Sequence, residues 1–423
     1  MKISSRKKAA ILATVLSGCI FSNSVDAANL GVVGATDFSS TDVGIIEGSY
    51  VTSTINTTPL NAVLTGYNGD TSIYSLVDGD KNSVWIRQYT YSQTNLVPNV
   101  NVNSQGDWDS DIQSGKIKGA PNAHGVATKN GFVYVADYDN GAIGVGKITD
   151  AGIADFSQSH HVNLKEDILN YAGFDMQHEW AGELYAKGES ILVDGDSLYV
   201  LVNIDTYDAS GANWSNYFEY SNSYLMKYDI NRDGTLSFNS CAEMGKNTDR
   251  SRINKYNDHI FATAIGGYQN FGTPNEDTSL NVATIDKNNG WINDSMAITV
   301  PDNVKNICDA YGNTGTEFRN LKILPNGTAY VLCYAQGWDG ASSSPFIFKT
   351  TVSNLLSDNP VDWETFSQGE VAGYFNDIDA EYYTKRVWVQ NGNTIQVYLD
   401  GVAADIKNFV GGSKLAENTV IYE

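Results

Sequence analysis

Ala123-His124-Gly125-Val126-Ala127-Thr128, Lys129-Asn130-Gly131, Phe132-Val133-Tyr134-Val135-Ala136-Asp137, Tyr138-Asp139-Asn140-Gly141 and Ala142 to Ile148 follow one another without a break, and their reading decides the fold. Apolar and polar or small residues alternate with the period of a β-strand. Asn-Gly stands at both gaps, where a tight hairpin needs residues that accept positive φ. Three short strands joined by two hairpins result, with a further turn at Thr149-Asp150-Ala151-Gly152.

The same aliphatic-aromatic-aliphatic strand returns along the chain. It reads Ser83-Val84-Trp85-Ile86, Ser197-Leu198-Tyr199-Val200, His259-Ile260-Phe261-Ala262, Ala329-Tyr330-Val331-Leu332 and Arg386-Val387-Trp388-Val389. The copies lie roughly fifty to seventy residues apart, a spacing that suits four-stranded blades with some enlarged loops. Met226 to Ser237 and Ala283 to Ile292 each read as third strand, turn and fourth strand. Leu30 to Phe38 and Val43 to Glu47 look like middle strands without a first one, and the tail Glu417 to Tyr422 supplies it. The expectation is an all-β β-propeller of seven blades, six being the alternative. Pairing of the N- and C-terminal strands would close the ring and remove its exposed sheet edges. Leu164 to Tyr171 is the best candidate for a short helix, with Lys165, Glu166 and Asp167 on its polar side.

His124-Gly125-Val126-Ala127 followed by Val133-Tyr134-Val135-Ala136-Asp137 and Asn140-Gly141 resembles the NHL repeat and the related YncE-like secreted propellers. The other blades share only the aromatic strand and its hairpins. The resemblance implies the architecture. Propellers of this kind host binding proteins, scaffolds, lactonases and lyases, so it implies no single activity.

The first residues carry a basic cluster, Lys2, Arg6, Lys7 and Lys8, before an apolar run from Ala9 to Phe21 that is too short to span a bilayer. Val25-Asp26-Ala27 places small residues one and three positions before a cut at Ala27/Ala28. Residues 1–27 are therefore expected to be a signal peptide, and residues 28–423 a single domain that is secreted or periplasmic. Leu16-Ser17-Gly18-Cys19 offers a competing end, a lipid anchor on Cys19 that would hold the protein at the cell surface. No later run is long enough for a membrane span. The chain of 423 residues has only 8 prolines and no linker-like stretch, which argues against division into several domains. Its formal net charge of -22 makes nucleic acid and anionic lipid poor partners. Cys241, Cys308 and Cys333 remain after the cut; a Cys308–Cys333 bridge and buried free thiols are both open.

In a propeller the innermost strands line the central channel. When the blades are aligned on their aromatic strands, the position of His124 corresponds to Tyr74, Glu189, Arg250 or Arg252, Arg319 or Asn320, and Asp377 or Asp379. His124, Glu189, Arg252, Arg319, Asn320 and Asp377 thus form a candidate ring for a small polar or ionic ligand. Glu189, Asn320 and Asp377 are its candidate metal ligands, for calcium or another divalent ion. Asp229-Ile230-Asn231-Arg232-Asp233-Gly234 copies the first half of a calcium loop, but its twelfth position is Ser240 where the bidentate Glu belongs, and a hairpin explains it as well. His160-His161 and Gln177-His178-Glu179-Trp180 are further polar groupings. No Gly-x-Ser-x-Gly elbow and no Cys/His dyad with a recognisable local frame appears.

Twenty-five tyrosines and eight tryptophans make a heavy aromatic load. Trp214, Tyr217, Phe218 and Tyr220 fall in the long connection Thr206 to Ser223, where aromatic faces can stack on sugars or on a protein surface. Three functions are open on this reading, one of them a purely structural or assembly component of an envelope layer. Another is an exported, non-catalytic propeller that binds a glycan or protein partner through those aromatics. The third is a metal-dependent lactonase or sugar hydrolase in the central pore.

Overall fold

The computed structural model describes residues 30–36, 41–47, 50–57, 62–68, 71–78, 83–92, 95–105, 123–137, 141–148, 154–155, 161–172, 183–207, 218–248, 251–266, 278–309, 316–335, 345–368, 378–380, 382, 385–391, 394–408 and 415–422. Among these residues the strands group into antiparallel sheets, mostly of four strands. Sheet I holds Leu30–Thr36, Thr41–Glu47, Tyr50–Thr57 and Leu415–Tyr422. Sheet II holds Ala62–Asn68, Thr71–Asp78, Ser83–Ser92 and Asn95–Gln105. Sheet III runs Ala123–Lys129, Phe132–Asp137, Ala142–Ile148 and Ala154–Asp155, with His161–Asn163 also paired to its third strand. Sheet IV runs Glu183–Asp194, Ser197–Tyr207, Asn222–Ile230 and Leu236–Lys246. Sheet V comprises Asn254–Tyr256, His259–Ala264, Ser279–Ile285 and Ile292–Ala297. Sheet VI comprises Thr316–Ile323, Thr328–Ala335, Pro345–Thr351 and Glu364–Gln368. Sheet VII comprises Ile378–Ala380, Arg386–Asn391, Thr394–Leu399 and Val402–Asn408.

Turn chemistry and burial explain the pattern. Asn130 (φ 49°) and Gly131 (φ 81°) make the two-residue hairpin that the Asn-Gly pair demands. The aromatic strand of sheet IV is buried on both faces, because sheet III covers one side and sheet V the other; Leu198 to Val202 are all buried. The outer strand Ile292–Ala297 is mostly exposed and carries Asn293, Asp294 and Ser295. Apolar layers fill the space between successive sheets. Tyr134, Ile143, Val200 and Met226 join III to IV, and Tyr199, Leu225, Ile260 and Ala283 join IV to V. Phe261, Val282, Phe318 and Val331 join V to VI, and Leu332, Ile347, Val387 and Val389 join VI to VII. Each fully buried side chain of this size contributes about 1.5–3 kcal/mol, so these layers carry most of the stability.

The sequence register holds in five sheets and slips in one. Ser83-Val84-Trp85-Ile86 starts the third strand of sheet II, whereas its counterparts are second strands. Tyr74 consequently lies on a second strand and is no equivalent of His124. The expected helix is present as α1, Leu164–Asp167, continued by a π-helical turn Ile168–Ala172. Asn163 caps it, its Oδ1 accepting from Glu166 N at 3.1 Å. Asp167 is half-buried, unlike the polar face expected of it, because Tyr228 of sheet IV donates to its Oδ2 at 2.9 Å. Among the described residues no helix is long and apolar enough to cross a membrane.

Candidate functional site

Each described ring candidate lies on or just before the first strand of a sheet. His124 is in Ala123–Lys129, Glu189 in Glu183–Asp194, and Arg319 and Asn320 in Thr316–Ile323. Arg252 precedes Asn254–Tyr256 by two residues. Asp377 and the His124 side chain lie outside the described residues; Asp379 is in Ile378–Ala380.

The ladders share an irregularity at this level. Register shifts occur between Ala123 and Gly125 at His124, between Gly188 and Ile191 across Glu189 and Ser190, and between Phe318 and Asn320 at Arg319. The strands at the same edge of sheets I and II shift too, at Glu417 and between Leu64 and Tyr67. A bulge breaks the two-residue alternation, and so re-aims a side chain that a regular strand would send to the core or to the opposite face. Glu417 has the same placement as the ring residues. Alignment on the aromatic strands could not find it, because Leu30–Thr36, the second strand of sheet I, contains no aromatic residue.

Uncharged groups stitch the first strands together. Ile253 N donates to Ser190 Oγ at 3.2 Å, joining IV and V. Asn320 Oδ1 accepts from Arg252 N at 3.3 Å and from Leu321 N at 2.9 Å. Asn254 Nδ2 donates to Leu321 O at 2.8 Å, and Ile323 N donates to Asn254 Oδ1 at 3.1 Å. Lys322 of sheet VI pairs with Asp379 of sheet VII, whose Oδ1 also accepts from Ala380 N at 2.8 Å. The charges are sheltered: Glu189 is 2% exposed and Arg319 6%, while Arg252 is half-buried. With two backbone donors on its oxygen, Asn320 serves first as a fastener between sheets.

The aromatic connection is more regular than expected. The second strand of sheet IV continues to Tyr207, and Phe218–Tyr220 pairs back on it, placing Tyr220 opposite Asp205. Phe218 and Tyr220 are therefore strand residues rather than loop residues, and the Tyr220 side chain is half-buried. Trp214 and Tyr217 lie outside the described residues, as do His160 and Gln177 to Trp180.

The Asp229 to Gly234 segment forms the hairpin between the third and fourth strands of sheet IV. Its oxygens are spent locally: Asp233 Oδ1 accepts from Thr235 N at 3.1 Å and from Thr235 Oγ1 at 2.7 Å, and Asp229 Oδ2 accepts from Asn239 Nδ2 at 2.9 Å. Among the described residues no three His, Cys, Asp or Glu side chains gather closely enough to hold a metal ion. Cys333 is held in a disulfide, which excludes a free thiol there. Cys241 is free, and burial pushes its pKa up to about 11, so it is a poor nucleophile.

No protein-family model and no curated protein matches the sequence. Solved structures resemble its fold. A protein from Lactobacillus plantarum superposes with a TM-score of 0.53 at 12% identity, over 93% of this chain and 100% of its own. A candidate 6-phosphogluconolactonase from Bacteroides fragilis gives 0.50 at 10% identity, over 94% and 99%. The β-propeller domain of the Trilobed protease from Pyrococcus furiosus gives 0.42 at 9% identity, over 90% and 94%.

The fold is a β-propeller. At these identities the likeness bears on fold alone. The stretch read as resembling the NHL repeat falls in sheet III.

Proposed function

We propose that the chain is an exported, non-catalytic β-propeller of seven blades that binds a glycan or protein partner through the aromatic extension of sheet IV. What carries the reading is that extension: its second strand is 11 residues long against 6 in sheets III, V and VII. The extra length turns back through Phe218–Tyr220, so Phe218 and Tyr220 stand on a strand rather than in a loop, and stacking needs such a fixed platform.

Ring closure belongs to the same proposal. Leu30–Thr36 pairs with Leu415–Tyr422, and the latter also touches Ala62–Asn68 and Ile378–Ala380, as the first strand of a closing blade would. Export is supported by the disulfide at Cys333, since such bonds persist in oxidising compartments. The mass of the mature N-terminus separates release at Ala28 from lipidation at Cys19.

The deciding experiment screens the purified chain against a glycan array and a panel of envelope proteins. A ligand should be found, and replacing Trp214, Tyr217 and Tyr220 with alanine should weaken it by about tenfold or more. An unchanged affinity in that triple variant would overturn the reading.

A second reading, a metal-dependent lactonase or sugar hydrolase using Glu189, Asn320 and Asp377, draws support from the sheltered carboxylate of Glu189 on a first strand. It counts against this reading that Asn320 Oδ1 already holds two backbone donors. Metal analysis of the purified protein, with melting in calcium and in chelator, tests it.

A further inference from the structure

Asn-Gly suits a hairpin, and it is also the pair in which a backbone nitrogen reaches the preceding side-chain amide with least hindrance, because glycine carries no Cβ. Asn130-Gly131, Asn289-Gly290 and Asn326-Gly327 lie wholly among the described residues, each in a turn between antiparallel strands. The pairs look alike in sequence. Their surroundings differ.

Gly290 N donates to Asp286 O at 2.7 Å, and Asn289 Oδ1 accepts from Trp291 N at 2.9 Å. Gly327 N donates to Leu324 O at 2.9 Å, and Asn326 Oδ1 accepts from Thr328 N at 3.0 Å. Gly327 is also packed, since a Cβ there would lie 3.1 Å from the Tyr256 hydroxyl. In both pairs the attacking nitrogen and the amide are each held by a hydrogen bond. Asn130 and Gly131 are exposed, and among the described residues no hydrogen bond engages the Asn130 side chain or the Gly131 N–H. The space beside Gly131 is open as well, for a Cβ there meets nothing within 4 Å.

We propose that Asn130 is a site of spontaneous covalent modification, deamidation through the nitrogen of Gly131. That nitrogen loses its proton to hydroxide and attacks Cγ of Asn130. The new C–N bond closes a cyclic succinimide as the Cγ–Nδ2 bond breaks, and ammonia leaves with a proton taken from water. A water molecule then opens the ring. Cleavage of the bond from the nitrogen to Cγ gives aspartate, and cleavage of its bond to the main-chain carbonyl carbon gives isoaspartate. One water is consumed, one ammonia is released, and nothing is oxidised or reduced.

Isoaspartate routes the main chain through Cβ and so lengthens the turn. The two-residue hairpin fixes the pairing of Lys129 with Phe132, Thr128 with Val133 and Ala127 with Tyr134. Tyr134 belongs to the apolar layer between sheets III and IV, so a disturbed register reaches that layer. The product also places a carboxylate next in sequence to Lys129, whose Nζ lies 3.6 Å from Asp196 Oδ1 on the facing hairpin of sheet IV. This modification site is independent of the partner-binding role of the sheet IV extension.

The test incubates the purified full chain at mildly alkaline pH and follows it by peptide mass mapping, with methyl-ester labelling specific for isoaspartate. Asn130 should convert at least about tenfold faster than Asn289 or Asn326, each of which must first give up two hydrogen bonds. Its rate should rise with pH, because the attacking nitrogen must lose a proton, and the aged protein should melt below the fresh one. Asn130→Gly keeps a residue that the turn accepts and removes the amide, so its melting temperature should hold through the same incubation. The proposal is overturned if Asn130 keeps its amide throughout, if the three pairs convert at comparable rates, or if wild type and Asn130→Gly lose stability in step.

Discussion

Asp167 stands half-buried where α1 crosses from sheet III to sheet IV, and the Tyr228 hydroxyl donates to it at 2.9 Å. Burial, the largest influence, raises its pKa; the Tyr228 bond works the other way, and neighbouring Glu166 adds to the rise. A raised folded pKa means that the folded state holds the proton more tightly than the unfolded chain does. That stabilisation is complete below the ordinary carboxylate pKa and is lost as pH rises through the raised value. Asp167→Asn keeps an acceptor for Tyr228 and removes the buried charge. Urea unfolding should show the wild type losing more stability than the variant as pH rises from the ordinary carboxylate pKa through the raised value, with the variant equal or more stable above it. The same burial governs Cys241, which iodoacetamide should label only after denaturation. Neither environment is legible from the sequence. Asp167 reads as a residue on a polar helix face, and Tyr228 lies far from it along the chain.

Hairpins were the most legible elements, because their backbone angles demand particular residues. The Asn-Gly, Asp-Gly and Asx-rich turns read from the sequence occur between the strands they were expected to join, at Asn130-Gly131, Asp233-Gly234 and Asn288 to Gly290. Some glycines answer to a neighbouring sheet as well as to their own turn. Gly141 (φ 60°) sits so close to sheet IV that an added Cβ would collide with the Ala186 carbonyl oxygen, whereas a Cβ on Gly131 (φ 81°) meets nothing within 4 Å. Gly131→Ala should cost about 1 kcal/mol for its backbone alone, and Gly141→Ala at least about 2 kcal/mol, because a backbone atom cannot step aside. Equal losses in thermal unfolding would show that the contact between sheets contributes nothing. The two glycines look identical in sequence. The strand count failed in sheet II for a related reason: Trp85 makes a third strand resemble a second one, since period-two patterning reports burial and not strand order.

Across the whole molecule the stabilising layers lie between sheets, so a cross-link that ties a connecting segment to a sheet matters more than its length along the chain implies. Helix α2, Asp302–Asp309, carries Cys308 and packs on Thr328–Ala335, the strand of the disulfide-bonded Cys333. Peptide mapping without reductant should recover Cys333 linked to Cys308, and reduction should lower stability by about 3 kcal/mol, as expected for a closed loop of about 25 residues. A Cys333 peptide linked elsewhere would refute the pairing. The proposed closure makes a second demand: deleting Leu415–Tyr422 would bare the edge of Leu30–Thr36, so the truncated chain should associate and lose its single cooperative transition in light scattering and calorimetry.

The sequence by itself determined the all-β class, the repeating strand-hairpin unit, the short helix after Asn163 and the residues that occupy the first strands, because these rest on local periodicity and turn chemistry. Tertiary structure alone decided that Asn320 is a fastener between sheets, that Phe218 and Tyr220 stand on a strand, that Asp167 meets Tyr228, and that bulges place His124, Glu189, Arg319 and Glu417 at one level. Those outcomes depend on how one sheet lies against the next and where a ladder slips by a residue, and no local pattern of side chains encodes either.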